Sequence, residues 1–123
     1  MRKILPVIIA TTVLLGCASS KKYYQKGNYD AAIRLAVKKI RKKPNKEKEI
    51  LILEQAYERA NKKDNERLNY LKLEGNPSMW DEVHSRYNSL KNRQSLVSEV
   101  LPLEILSTGR LVQFPIIDYN QEI

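Results

Sequence analysis

The sequence predicts an all-α fold of antiparallel helix pairs with a short extended segment at the C-terminal end. Three observations carry that expectation. Apolar residues recur at spacings of three and four along most of the chain from Tyr29 to Val97. Strong stop signals divide those stretches, at Gly27-Asn28, at Pro44 and at Gly75-Asn76-Pro77. Beyond Pro102 the helical spacing gives way to residues typical of extended chain.

Composition narrows the function classes before any motif is read. The 123 residues suit one small domain, and 42% hydrophobic with 29% charged residues is the balance of a folded, surface-charged protein. The single cysteine excludes a disulfide framework and any Cys-based zinc site, and the single histidine excludes a multi-histidine metal cage. No phosphate loop, nucleophile elbow or paired-carboxylate arrangement is present. The expectation is a protein that is not an enzyme and needs neither cofactor nor metal.

The chain opens MRKILPVIIATTVLLGC. Arg2 and Lys3 precede a 12-residue apolar run, Ile4 to Leu15. A bilayer-crossing helix needs about 20 apolar residues, so the run reads as the hydrophobic region of a signal peptide. Leu14-Leu15-Gly16-Cys17 follows, with an apolar residue three before the thiol and a small one just before it. This resembles the lipobox of bacterial lipoproteins. The resemblance implies diacylglyceryl transfer to the Cys17 sulfur, cleavage between Gly16 and Cys17, and acylation of the new amine. Two or three acyl chains make a stable anchor where one is reversible. The alternative is a secretory signal cut elsewhere. No acidic residue stands beside Cys17, and no acidic cluster follows it. The resemblance then implies the periplasmic face of the outer membrane. Residues 1–16 are thus expected as the signal peptide and 17–22 as a lipidated tether.

Residues 23–101 are expected as the helical domain. Asn28 is placed to cap a helix whose stripe is Ala32, Ile33, Ala36, Val37 and Ile40, and Pro44 prevents its continuation. A second helix, roughly 46–61, carries Ile50, Leu53, Tyr57 and Ala60. A third is expected to open at Asp64 as N-cap, with Leu68, Leu71 and Leu73 inward, and to stop at Gly75-Asn76-Pro77. Ser78-Met79-Trp80-Asp81 has a capping-box pattern for a fourth, with Trp80, Val83, Tyr87, Leu90, Gln94 and Val97 as its seam.

The stretch YYQKGNYDAAIRLAVKKIRKKPN resembles the latter two-thirds of a tetratricopeptide repeat, through Tyr23, Gly27-Asn28, Tyr29, Ala32 and Pro44. Ala36 and Lys39 depart from that pattern. Tyr57 and Asn61 stand 34 residues after Tyr23 and Gly27, which implies a second, degenerate repeat with a turn near Asn61. The stretch LKLEGNPSMWDEVHSRYNSLKNRQSLVSEVLPL also resembles a group of uncharacterised Bacteroidota lipoproteins, a likeness that carries no known activity.

Residues 102–123 are expected as an extended tail, with Leu103–Ser107 and Leu111–Ile117 joined through Thr108-Gly109. Phe114 to Tyr119 reads as an apolar segment with nothing to cover it, and Asn120 as the cap of a helix that stops within one turn. The expectation is therefore a chain truncated from a longer protein, set against a naturally frayed terminus.

The net charge of +8 is local. Residues 21–46 hold ten Lys/Arg and one acid, hence +9, whereas residues 47–123 hold ten against thirteen, hence −3. Lys38, Lys39, Arg41, Lys42 and Lys43 form the centre of a basic patch, read either as a solvated helix end complementing the macrodipole or as a surface for anionic headgroups beside the lipid anchor. Nucleic acid is not expected, because no aromatics interleave the patch. His84 lacks a nucleophile and an orienting group in its neighbourhood, and Trp80, Tyr87 and Tyr57 are read as core before groove. The function expected is a membrane-anchored helical adaptor binding an envelope protein or peptide. The alternative is a lipoprotein that binds glycan or peptidoglycan through Trp80 and the tyrosines.

Overall fold

The structure is a computed structural model that describes residues 19–121. Cys17, Gly16 and the apolar leader lie outside the described residues. The fold is all-α: α1 (Ser20–Gln25), α2 (Tyr29–Lys42), α3 (Glu47–Glu74) and α4 (Trp80–Ser98), with a minimal antiparallel hairpin of β1 (Glu104–Ile105) and β2 (Arg110–Leu111). The first helix begins inside the stretch expected as tether. Ser19 accepts the Lys22 N–H as its cap, and the buried Ser20 hydroxyl donates to Glu49 on α3.

Local chemistry sets the element ends. Gly27, at φ +78, makes the turn between α1 and α2, and the Asn28 side chain accepts the Ala31 N–H to start α2 as expected. The stripe Ala32, Ile33, Ala36, Val37 and Ile40 is buried in full. Gly75 ends α3 in the left-handed conformation at φ +60, with its N–H returned to the Leu71 carbonyl.

The expected turn near Asn61 is not formed, and α3 runs unbroken for 28 residues. Asn61-Lys62-Lys63-Asp64 contains neither Gly nor Pro, and Asn and Asp each cost at most about 0.7 kcal/mol in a helix interior. Burial of Ala60 and Leu68 on either side offsets that cost. Asp64 is therefore no N-cap but a buried side chain in mid-helix. The second helix–turn–helix pair implied by the 34-residue spacing is absent from 47–74. Leu73, expected inward, is 88% exposed.

The start of α4 differs as well. Asn76, not Ser78, caps a 3-10 turn over Pro77–Met79, and the Ser78 N–H and hydroxyl both donate to the Asn76 side-chain Oδ1. Trp80, expected in the seam, is 67% exposed.

Side-chain pairs fix the directions of the helices. Along α2 and α3, Lys39 meets Glu49 while Asp30, through Arg93, meets Asn61 and Asp64, so the two are antiparallel. Arg67–Glu82 and Asp64–Arg93 likewise make α3 and α4 antiparallel. Because α2 has half the length of α3, the last turns of α3 extend past it and pack on α4 and on Tyr119.

Two apolar clusters result. The larger joins α1, α2, the first half of α3 and the end of α4 with Leu103, Ile105, Val112 and Phe114. The smaller is Leu68, Tyr87, Leu90 and Tyr119, flanked by Val83. The C-terminal segment is a strap rather than a loose tail. Phe114 stands edge-on to Tyr57 at 5.0 Å, Gln94 bonds both the N–H and the carbonyl of Ile117, and Lys91 donates to Asn120. Phe114 and Tyr119, expected uncovered, are buried, while Ile116 and Ile117 remain exposed. Asn120 is not a cap: Asp118 accepts its N–H in a 3-10 turn over Tyr119–Gln121. Both clusters are formed by residues between Tyr23 and Tyr119.

Candidate functional site

The polar centre of the molecule is Arg93. Its guanidinium donates to Asp30 of α2 at 2.7 Å, to Asn61 of α3 at 2.6 Å and to Asp64 of α3. Asp64 also accepts from Arg86 at 2.8 Å. Burial disfavours the Arg93 charge, but the hydrogen bonds to Asp64 and Asp30 outweigh it and raise its pKa. No buried side-chain donor or acceptor among the described residues lacks a partner, and the arrangement ties three helices together. Sequence reading missed it, because nothing local links residues 30, 61, 64 and 93.

Two surface regions, at opposite ends of α3, remain as candidates for contact with other molecules. At the end where α3 begins, Ser20, Glu49 and Lys39 meet, so the start of the described chain and the basic end of α2 are neighbours. The sequence-predicted patch divides there. Lys39 pairs with Glu49 at 3.3 Å and Arg41 pairs with Glu99, whereas Lys38, Lys42 and Lys43 are exposed and make no ion pair among the described residues.

At the other end, the last turns of α3 and the first of α4 expose Tyr70, Leu73 and Trp80. Trp80 borders a depression of about 200 Å³ that is also lined by Leu71, Lys72, Val83 and Tyr87. Tyr70 and Leu73 share one face at a spacing of three. The stripe at 80, 83 and 87 does signal an apolar face, but its first member lies beyond the reach of α2. At 1.5 Å per residue, Glu49 and Gly75 are roughly 40 Å apart along α3.

A wider cleft of about 720 Å³ lies between α3 and the strap, beside Glu54, Tyr57, Asn61 and Phe114. Its charged lining is Glu58, Lys62 and the paired Arg110–Glu54 bridge at 2.8 Å. His84 is exposed on α4. Among the described residues, no group of three His, Cys, Asp or Glu side chains is placed to hold a metal ion, and no helix is long and apolar enough to cross a membrane. The chain was compared with protein-family models, curated proteins and solved structures, and none of them matches it.

Proposed function

We propose that this protein is a membrane-anchored helical adaptor of the bacterial cell envelope, held through acylated Cys17 and binding a protein or peptide partner at the Leu73–Trp80 tip. The observation that carries the reading is the separation of the two ends. The chain enters the fold beside Glu49, and the exposed Leu73 and Trp80 side chains stand roughly 40 Å away along α3. An anchor at the first end holds the second clear of the headgroups. Large apolar side chains at a helix-hairpin tip are the kind of anchor that dominates protein interfaces. The resemblance of LLGC to a lipobox supports the anchor and, with no acid beside Cys17, the periplasmic face of the outer membrane.

The glycan- or peptidoglycan-binding alternative is favoured by one observation: the sole tryptophan is exposed beside a small apolar depression instead of being packed in a seam. Tryptophan fluorescence separates the two readings. Under the adaptor reading, emission is that of a wet indole and does not change with muropeptides or oligosaccharides. A saturable shift with sugar, together with no partner recovered from crosslinked envelope membranes, would replace the adaptor by the glycan binder.

A further inference from the structure

We infer that the end of the bundle opposite Trp80 is a docking face for an anionic lipid bilayer, in which Leu106 and Leu51 enter the headgroup region among unpaired lysines. This goes beyond the adaptor reading and does not depend on acylation of Cys17.

Three acids at this end are committed to internal contacts, while Glu104, two residues before Leu106, is exposed and makes no ion pair among the described residues. Glu47 accepts the Ser107 N–H at 2.7 Å and its hydroxyl at 3.0 Å, Glu49 holds Ser20 and Lys39, and Glu99 holds Arg41. Lys38, Lys42, Lys43, Lys46 and Lys48 are exposed and make no ion pair among the described residues. These five lysines outnumber the one exposed, unpaired acid beside Leu106, so this end presents a net positive charge to solvent.

The contact of Ser107 with Glu47 does a second thing. It fixes the turn between β1 and β2 against the first turn of α3, which brings Leu106, 58% exposed, to the lysine-bearing end. Leu51 is four residues beyond Glu47 on the same helix face and is also exposed. Apolar side chains set among lysines match the boundary between headgroups and acyl chains. There the lysines meet lipid phosphates while the leucines reach hydrocarbon. A plain polyanion would use the lysines and leave the leucines in water.

The test uses residues 18–123, which contain both apolar clusters and carry no acyl group. Sedimentation is measured with vesicles of equal parts phosphatidylglycerol and phosphatidylcholine, and with phosphatidylcholine alone. Binding to the anionic vesicles only, weakened by high salt, is expected. The double variant Lys42→Gln/Lys43→Gln should lose about fivefold per lysine. Lys62→Gln/Lys63→Gln, in the middle of α3, should bind as the parent does. Leu106→Asn should lose about tenfold through the forfeited burial of one leucine. Circular dichroism confirms that each variant is folded. Equal binding to both vesicle types overturns the proposal, as does indifference to the Lys42/Lys43 change. Binding that is salt-sensitive but unaltered by Leu106→Asn also overturns it, in favour of a surface for soluble polyanions.

Discussion

Arg93 of α4 and Asp64 of α3 form an ion pair in which each side chain is only 8% exposed, at the point of α3 where the sequence suggests a turn. Removing Arg93 leaves the buried Asp64 carboxylate with Arg86 as its one cationic partner and takes from Asp30 its own, and breaking such a buried pair is costly. Arg93→Met is therefore expected to destabilise the fold by about 3–5 kcal/mol in chemical denaturation. The double variant Arg93→Met/Asp64→Leu should recover most of the loss, since no buried carboxylate remains and the half-exposed Asp30 is left to water. A double variant as unstable as the single one would show that the pair is not what holds α3 and α4 together.

The strap is held by Phe114 against Tyr57, so Phe114→Ala is expected to cost about 3 kcal/mol. Ile116→Ala, two residues on and 69% exposed, should stay within about 0.5 kcal/mol of the parent. Thermal melts of the two variants check the difference. Amide exchange should lose protection at the Val112 N–H, which bonds the Leu103 carbonyl, in the first variant only.

What could be read from the sequence follows from how local each cause is. The Asn28 cap, the stripe of α2, the Gly75 stop and the Thr108-Gly109 turn depend on neighbours a few residues away, and the structure agrees with each. The pairing of Asp64 in mid-helix with Arg93, 29 residues away, is not local, and no pattern in either segment announces it. Trp80 misleads for a related reason. Its spacing to Val83 and Tyr87 marks an apolar face, but whether that face is covered depends on the lengths of α2 and α3. The basic patch was legible as charge, while the separation of Lys39 and Arg41 from the free lysines came only with Glu49 and Glu99 in place.

Acid sensitivity should follow Arg67–Glu82. Two hydrogen bonds at 2.8 and 2.9 Å hold the Glu82 carboxyl below its ordinary value of 4.5. A carboxyl depressed in the folded state contributes stability that is complete above its unfolded pKa and is lost as pH falls through the folded one. Stability should thus decline below pH 4.5, and Glu82→Gln should flatten that part of the profile by lowering stability near neutrality while leaving it little changed at low pH. An unchanged acid limb in Glu82→Gln would assign the decline to other carboxylates.

For the anchor, Cys17→Ser is expected to abolish palmitate labelling and to leave an unprocessed or soluble product. Labelling and membrane retention identical to the parent would remove the lipobox from the account.

Under the adaptor proposal, partners engage the end of α3 remote from the membrane. The most direct measurement places a photo-crosslinking residue at position 80, and separately at position 62 in mid-helix, and irradiates intact cells. The account predicts a discrete protein adduct from position 80 that disappears in the Leu73→Asp background, with none from position 62. No adduct from position 80, or the same adducts from both positions, would contradict it.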